Sequence, residues 1–234
     1  MDQLTIDLKK EQQATRARPR YPYSGVARVF VAGMDVLVGR ETTLAKAKLI
    51  EVLAPVPYRE WERRAHERMS RHRETPELVR GAGAIEGWGQ AARDNERRHL
   101  RLISEKLRED SAVEPWYLTP PIPSLMAASY GILEWTMARV AIRRAFLLNA
   151  ELEDHAEHTY AQLVEEHPEW ERQPAEGAEA REYGPFRSWA DVFRRIGLDE
   201  RDHRNASFAF AGKPQHIVRY EGMPASPGAG ASPL

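Results

Sequence analysis

The sequence predicts an all-α fold in which four helices form a bundle. Apolar residues recur at the helical spacing of three and four positions, and the alternation that is typical of strands is nowhere sustained. Two helical stretches carry a histidine three residues after a glutamate, at Glu96 and His99 and again at Glu200 and His203. A lone glutamate stands in the helical segment before each pair, and these two residues are Glu51 and Glu153. This repeated order indicates four helices that face one another.

Six helices are predicted along the chain, and their approximate ranges are 23–39, 42–73, 85–109, 125–140, 143–166 and 186–210. Pro55 and Pro57 should kink the second helix, because proline has no N–H to donate and its ring clashes with the preceding turn. The run TPPIPS separates the third helix from the fourth, and His167 with Pro168 ends the fifth. The stretch ERQPAEGAEAREYGP before the last helix is predicted to be a linker.

The two ends of the chain are predicted to lie outside the helical domain, which spans residues 23–212. Residues 1–22 are polar and basic, and we expect a flexible or extended segment there. Residues 213–234 end in a stretch rich in Pro, Gly, Ala and Ser, which is typical of a disordered tail.

The composition excludes several kinds of site. The chain of 234 residues has a formal net charge of -1, which argues against binding to nucleic acid by bulk electrostatics. It contains no cysteine, which excludes disulfides, thiolate metal sites, iron–sulfur clusters and cysteine nucleophiles. The chain has no run of about 18 apolar residues, so no membrane-spanning helix is predicted. The N-terminus lacks the apolar region of a secretory signal. Any bound metal must therefore have oxygen and imidazole ligands, which suit iron or manganese.

The Glu-x-x-His spacing is chemically suited to a pair of metal ions. Residues three apart lie on one face of a helix, so the glutamate can bridge two ions while the histidine binds one of them. Two such motifs and two further glutamates make the ligand set of a ferritin-like four-helix bundle with a di-iron centre. Four carboxylates would neutralise two divalent ions, which makes the cluster tolerable in a protein core. The predicted ligands are Glu51, Glu96, His99, Glu153, Glu200 and His203.

Two other histidines compete with Glu153 as ligands on the same helix. His155 follows Glu153 by two residues and His158 by five, so neither shares its face. We expect both to lie off the metal, with His155 better placed to contact substrate.

The strings around the ligands resemble motifs of the alternative oxidase family, which includes the plastid terminal oxidases. NERRHL at 95–100 resembles the family's NERMHL, and LEDHA at 152–156 resembles its LEEEA. LDERDH at 198–203 resembles RADEAHH, and Ile50 and Glu51 with the later VPY resemble LETxARVPY. Tyr160 follows Glu153 by seven residues, where the family has its redox tyrosine. The resemblance covers about residues 40–210, with the order of the motifs preserved.

The resemblance implies a quinol:oxygen oxidoreductase that reduces O2 to water at two iron ions without pumping protons. Asn95, Tyr160 and Asp199 match the family's hydrogen-bonded residues beside the irons. The positions matching the quinol site are Lys46, Ile50, His155 and Thr159. The implied substrate is ubiquinol or plastoquinol. The implied protein is a homodimer bound peripherally, as a monotopic protein, to the cytoplasmic face of the inner or plasma membrane.

Three positions depart from the family pattern, and all three concern the quinol end of the site. Pro55 replaces the arginine of ARVPY, and His155 replaces the third acid of LEEEA. Lys46 stands where the family tends to have arginine, which keeps the charge but loses the two-pronged hydrogen bonding of a guanidinium group.

Two predicted helices, 23–39 and 125–140, are surplus to a four-helix bundle. Both are amphipathic, and Arg139, Arg143 and Arg144 flank the second, so we expect them to dock on a membrane surface. The same faces are alternatively a dimer interface. Two rival functions also stay open: a demethoxyubiquinone-type hydroxylase, with the same ligand order, and a ferritin-like iron-binding protein.

Overall fold

A computed structural model describes residues 6–225, and within that range it contains α-helices and short 3-10 turns but no strand. The prediction of an all-α protein is therefore confirmed. The helices are α1 (Leu8–Ala17), α2 (Gly25–Val38), α3 (Leu44–Leu53), α4 (Pro55–Arg71), α5 (Pro76–Glu109), α6 (Ile122–Val140), α7 (Ile142–Glu166), α8 (Ala178–Tyr183) and α9 (Trp189–Phe210).

The longest packed surfaces join α7 to α9 and α5 to α4, and α3 bridges the two pairs by contacting both α5 and α7. The limits of these helices follow local rules. Ser188 caps α9 by accepting a hydrogen bond from the backbone N–H of Asp191 at 3.2 Å. Helix α7 ends just before His167 and Pro168, as predicted.

The predicted interruption of the second helix is confirmed. Helices α3 and α4 meet at Ala54, directly before Pro55. The break lets the two helices take different neighbours: α4 packs mainly on α5 and α6, while α3 contacts α5, α6 and α7. Glu51 of α3 and Tyr58 of α4 are thus both fully buried although they lie on separate helices.

Helix α5 begins at Pro76, nine residues before the predicted start at 85. Gly81 and Gly83 in this stretch lower its helix propensity, which hid the extension. Packing explains a further glycine of α5, because a Cβ at Gly89 would lie 3.4 Å from the backbone oxygen of Tyr58 and 3.2 Å from Cγ of Glu62. The glycine therefore lets α4 and α5 approach closely.

The prediction of a flexible or extended N-terminal segment over 1–22 was wrong for residues 8–17. Residues 8–17 form α1, which packs on α7 and α9. Thr15 is buried, and its hydroxyl donates to Oε1 of Glu157 at 2.7 Å, while Nη2 of Arg201 donates to the Thr15 hydroxyl at 2.7 Å. The polar residues that indicated a solvated segment are the ones that anchor it. Residues 1–5 lie outside the described part of the chain.

The predicted linker before the last helix contains α8. The backbone N–H of Ala180 donates to Oε2 of Glu105 at 3.0 Å, so a carboxylate of α5 binds the N-terminal turn of α8. This contact fixes a short helix that has little propensity of its own, because six residues are too few for an isolated helix.

The predicted disordered tail, 213–234, was also partly wrong. Residues 213–225 run back along α9, where the Asn205 amide bonds both the N–H and the oxygen of Val218, at 2.9 Å and 2.8 Å. The Tyr220 hydroxyl donates to Asp202 at 2.8 Å. The remainder of that prediction, 226–234, lies outside the described residues.

Helices α2 and α6 form an apolar surface. Phe30 of α2 and Tyr130 of α6 pack with ring centroids 5.1 Å apart. Large apolar side chains nevertheless point outward from both helices: Val29 is 74% exposed and Ile132 is 69% exposed. Within residues 6–225, no helix combines the length and apolar character needed to cross a membrane.

Candidate metal centre

The six predicted ligands converge at one buried place. Glu51 comes from α3, Glu96 and His99 from α5, Glu153 from α7, and Glu200 and His203 from α9, and all six side chains are buried. They form two groups of potential ligands, each with its donor atoms within 4.8 Å of one another. Both groups contain Glu96 and Glu200. The first adds Glu51 and His99, and the second adds Glu153 and His203.

Each imidazole turns its Nδ1 atom toward the carboxylates. Nδ1 of His99 lies 3.0 Å from Oε1 of Glu200 and 3.5 Å from Oε2 of Glu51. Nδ1 of His203 lies 2.8 Å from Oε1 of Glu96 and 3.3 Å from Oε2 of Glu200. The two shared glutamates therefore stand between the histidines, where bridging ligands are needed.

Several ligand atoms of the cluster lie close together without forming hydrogen bonds. Five buried atoms lack a hydrogen-bond partner among residues 6–225: Oε2 of Glu51, both carboxyl oxygens of Glu96, Nδ1 of His99 and Oε1 of Glu200. Unpartnered buried polar groups are costly, and a bound cation would relieve that cost. Ligands about 2.0–2.2 Å from an ion are at most about 4.4 Å apart, and the atoms of each group lie within 4.8 Å of one another. The residues are compatible with bound metal.

Burial and mutual repulsion shift the pKa values within the cluster. Burial, followed by the charges of Glu96 and Glu200, raises the pKa of Glu51 well above its usual value. Burial and the same two carboxylates raise the pKa of Glu153. Burial acts to lower the pKa of His203, but Glu96 and Glu200 outweigh it and hold that pKa well above its usual value. Without metal, the cluster thus keeps protons in place of cations.

Asp199 lies on the side of His99 that faces away from the cluster. Its Oδ2 atom is 3.2 Å from Nε2 of His99. The same oxygen accepts a hydrogen bond from the Tyr183 hydroxyl, and the other oxygen, Oδ1, accepts one from Arg195. A carboxylate here favours the tautomer with the proton on Nε2, which leaves the Nδ1 lone pair free for a metal. Burial acts to raise the pKa of Asp199, but His99 and Arg195 hold it below its usual value. Asp199 was a predicted site residue; Tyr183 lies in the predicted linker and was missed.

Two further residues missed by the sequence reasoning hold Glu153. Its Oε1 atom accepts a hydrogen bond from the Tyr58 hydroxyl at 2.6 Å and from the Asn149 amide at 3.0 Å. Asn149 precedes Glu153 by one helical turn, so the i, i+4 spacing was a usable signal. Tyr58 belongs to the VPY string. The direction of its side chain toward Glu153 depends on the break between α3 and α4 at Pro55, which the sequence pattern does not specify.

Tyr160 contacts the cluster on the opposite side from Tyr58. Its hydroxyl donates to Oε1 of Glu51, and its ring stacks on Phe193 with centroids 6.4 Å apart. Burial, then Glu51 and Glu200, raises the pKa of Tyr160 well above its usual value. The tyrosine is therefore a neutral hydrogen-bond donor to a predicted metal ligand.

Asn95, also predicted near the irons, lies further out. It lines a cavity of about 420 Å³ together with Asp199 and His203. The cavity opens on the side where Pro224 and Ala225 pass over α9.

The four positions predicted for quinol are Lys46, Ile50, His155 and Thr159, and their polar side chains already have partners within the protein. Nζ of Lys46 donates to Asp35 at 2.6 Å, which ties α3 to α2. Nδ1 of His155 lies 3.0 Å from Arg20, and the Thr159 hydroxyl donates to the backbone oxygen of His155 at 2.8 Å. Of the four, Ile50 lines an internal cavity beside the cluster.

His158 belongs to a separate cluster with Asp154 and Glu157, which also has metal-like spacing. Both of its ring nitrogens have backbone partners, the oxygens of Asp154 at 2.7 Å and Arg18 at 3.1 Å. The two carboxylates pair with arginines: Asp154 with Arg204, and Glu157 with Arg18 and Arg201. This cluster is a satisfied ion-pair network, so neither His158 nor His155 is part of the candidate metal centre.

An apolar passage leads from the surface of α2 and α6 toward the cluster. Its outer groove has a volume of about 420 Å³ and is lined by Val29, Phe30, Gly33, Met34, Leu53, Leu125, Met126, Ser129, Tyr130 and Leu133. Its inner pocket, of about 50 Å³, is lined by Phe30, Ile50, Leu53, Ala54, Tyr130, Asn149, Leu152, Glu153 and Ala156. The two share Phe30, Leu53 and Tyr130, and the inner pocket ends at a predicted ligand, Glu153.

No family model and no curated protein matches this chain. The chemistry of the buried cluster, and the apolar surface that leads toward it, are therefore the features from which a function is inferred.

Proposed function

We propose that the protein is a membrane-associated di-iron quinol:oxygen oxidoreductase of the alternative oxidase type. The observation that carries the proposal is the overlap of two buried ligand groups in Glu96 and Glu200. Shared carboxylates between two histidine-capped positions are what a carboxylate-bridged metal pair in a ferritin-like four-helix bundle requires. Oxygen and imidazole donors without thiolates favour iron.

Glu51, Glu96, His99, Glu153, Glu200 and His203 would hold the two irons, and Glu96 and Glu200 belong to both ligand groups. The irons would supply the electron transfers between quinol and dioxygen that side chains alone do not provide. The protein excludes water from this chemistry, because an aromatic and aliphatic cluster around Tyr160 and Phe193 covers one side and another around Trp61 and Phe146 covers the other.

Tyr160 is the residue best placed to give up a proton and an electron beside the irons. Its hydroxyl proton lies on the hydrogen bond to Glu51, so the carboxylate can take that proton as the ring is oxidised. The surrounding packing holds the ring still, since Tyr160 is 2% exposed and stacks on Phe193.

The apolar passage supports a lipophilic substrate. The inner pocket, once widened from its volume of about 50 Å³, would place a quinol ring beside Asn149 and Glu153. The outer groove would take the apolar tail, because its walls are almost entirely aliphatic and aromatic. Ubiquinol and plastoquinol both have this combination of polar ring and apolar tail.

The exposed faces of α2 and α6 support docking on a membrane. The groove opens between them, so a quinol could enter directly from the lipid. At the end of α6, the Arg139 guanidinium stacks over Trp135 at 4.1 Å, and Arg143 and Arg144 are exposed. Aromatic and basic residues together suit the headgroup layer of a lipid surface.

The test is oxygen uptake by the iron-loaded protein on vesicles that contain quinol. We expect uptake that depends on quinol, with two quinols oxidised per O2 consumed, and its loss in Glu200→Ala. A control variant, Glu165→Gln, removes an exposed carboxylate that pairs with Arg16 of α1 and should keep the activity. Oxygen consumption with a hydroxylated product would instead indicate the hydroxylase, and iron uptake into a large assembly without quinol oxidation would indicate storage.

A further inference from the structure

Glu134 on α6 is a buried acid that the proposed metal centre does not use. The residue is 0% exposed, and neither carboxyl oxygen has a hydrogen-bond partner among residues 6–225. Burial raises its pKa to about 8; Tyr130 acts against the shift and Glu60 adds to it. Leaving a carboxyl without partners in a core costs stability, so its position needs a reason other than packing.

Tyr130 lies one helical turn before Glu134 and connects it to the apolar passage. The tyrosine is 5% exposed and lines both the outer groove and the inner pocket. Burial raises its pKa, and the carboxyls of Glu134 and Glu153 raise it further, so the phenol lies within the field of both acids. Tyr130 is also the one ionisable side chain among the residues that line the outer groove.

Glu60 lies on α4, which packs on α6, and its charge adds to the raised pKa of Glu134. Its Oε2 atom is buried without a hydrogen-bond partner among the described residues. Its two oxygens lie 3.7 Å from Nε of Arg59 and 3.9 Å from Nη1 of Arg63, and both of these arginines are mostly exposed. Glu60 is therefore a largely buried acid whose charged neighbours face solvent.

We propose that Glu134 is a proton-transfer residue that takes hydroxyl protons of a bound quinol from Tyr130 and passes them to Glu60. The inference rests on the proposed function. The phenol of Tyr130 accepts a proton from the quinol hydroxyl and gives its own to Glu134, which gives its proton to Glu60 and so to water. Each quinol loses two protons and two electrons to become quinone, and the electrons reduce dioxygen at the metal centre.

The apolar character of the passage makes such a residue necessary. A proton released by a quinol ring in the inner pocket meets only Tyr130 and Glu153 as ionisable groups in the lining of the passage. Glu153 is the other acid near the quinol ring, and it is assigned to the metal. A carboxyl group that stays neutral near pH 7 can donate from one oxygen while accepting at the other, which a permanently charged group cannot do.

The experiment compares Glu134→Gln and Glu134→Asp with wild type, using iron-loaded protein on phosphatidylcholine vesicles that contain quinol. We expect Glu134→Gln to keep its iron content and to lose at least about tenfold in turnover, as loss of a positioned proton carrier does. Glu134→Asp should recover part of the rate. Glu165→Gln is the control, because its exposed carboxylate pairs with Arg16 and contacts neither the passage nor the predicted ligands.

Infrared spectroscopy gives a readout that does not need turnover. The band of a protonated carboxylic acid at neutral pH should disappear in Glu134→Gln and stay in Glu165→Gln. Unchanged turnover in Glu134→Gln, or no protonated band assigned to Glu134, would overturn the relay while leaving the oxidase proposal intact. No quinol oxidation by the wild-type protein would overturn the function, and with it the relay.

Discussion

The hydroxyl of Tyr160 donates a hydrogen bond to Oε1 of Glu51, which joins a tyrosine of α7 to a predicted ligand of α3. Gly197 lets helix α9 approach the tyrosine closely. A Cβ at that position would lie 3.3 Å from Cβ of Tyr160. The contact makes Tyr160 part of the cluster's hydrogen bonding although it is not itself one of the predicted ligands.

Removing the Tyr160 hydroxyl should separate metal binding from catalysis. We expect Tyr160→Phe to fold, to bind as much iron as wild type and to lose at least about tenfold in quinol-dependent oxygen uptake. Tyr117→Phe is the control, since Tyr117 is similarly buried but belongs to the apolar cluster near α6. Wild-type turnover in Tyr160→Phe would reduce the tyrosine to a packing residue.

Asp199 should matter for metal affinity without being a ligand. In Asp199→Asn the acceptor for Nε2–H of His99 is weakened, so the imidazole is held less firmly in the binding tautomer. We expect iron affinity to fall about 10–100-fold, as it does when outer partners of metal ligands are removed. Competition with a chelator measures the change. Asp191→Asn, at the far end of the same helix, should leave the affinity unaltered.

Metal binding should release protons. His99 and His203 have pKa values above the usual value of 6.5, and Glu51 and Glu153 have pKa values above 4.5. The histidines are therefore protonated near neutral pH and must lose a proton to act as ligands. We expect affinity to rise as pH increases from about 6 to about 8. Titration calorimetry in buffers of different ionisation enthalpy checks this, and an affinity independent of pH would contradict the assignment.

Helix α1 should depend on Arg201. The guanidinium group donates to Glu157 at 2.8 Å and to Thr15 at 2.7 Å, and it also pairs with Glu11. Arg201→Ala leaves Glu157 buried with one arginine fewer, and we expect a loss of about 3–5 kcal/mol in the free energy of unfolding. Arg16→Ala, which breaks an exposed pair with Glu165, should cost at most about 1 kcal/mol. A denaturant titration measures both losses. If Arg201→Ala and Arg16→Ala lowered the free energy of unfolding equally, Arg201 would not be the buried anchor of α1.

The ligand positions were predictable because they depend on local geometry. A helix places residues three apart on one face, so Glu96 with His99, and Glu200 with His203, follow from spacing alone. Predicting the lone glutamates, Glu51 and Glu153, required only the order of the helices along the chain. The partners Tyr58, Asn149 and Tyr183 depend on how helices turn toward one another, which spacing within one helix does not determine.

The misjudged segments share a physical cause. Helix α1, helix α8 and residues 213–225 are polar, and each is held by side chains of distant helices: Arg201 for α1, Glu105 for α8, and Asn205 with Asp202 for the tail. Local propensity does not include such tertiary contacts. Gly81 and Gly83 misled in the same way, because their low helix propensity does not prevent α5 from beginning at Pro76.

The stoichiometry of iron binding tests the central claim most directly. Anaerobic titration of the metal-free protein with ferrous iron, followed by elemental analysis after desalting, should give two irons per chain. Glu200→Ala removes a ligand common to both groups and should bind fewer than two. Two irons per chain that survive the loss of Glu200, or a single iron in the wild-type protein, would contradict a shared two-metal centre.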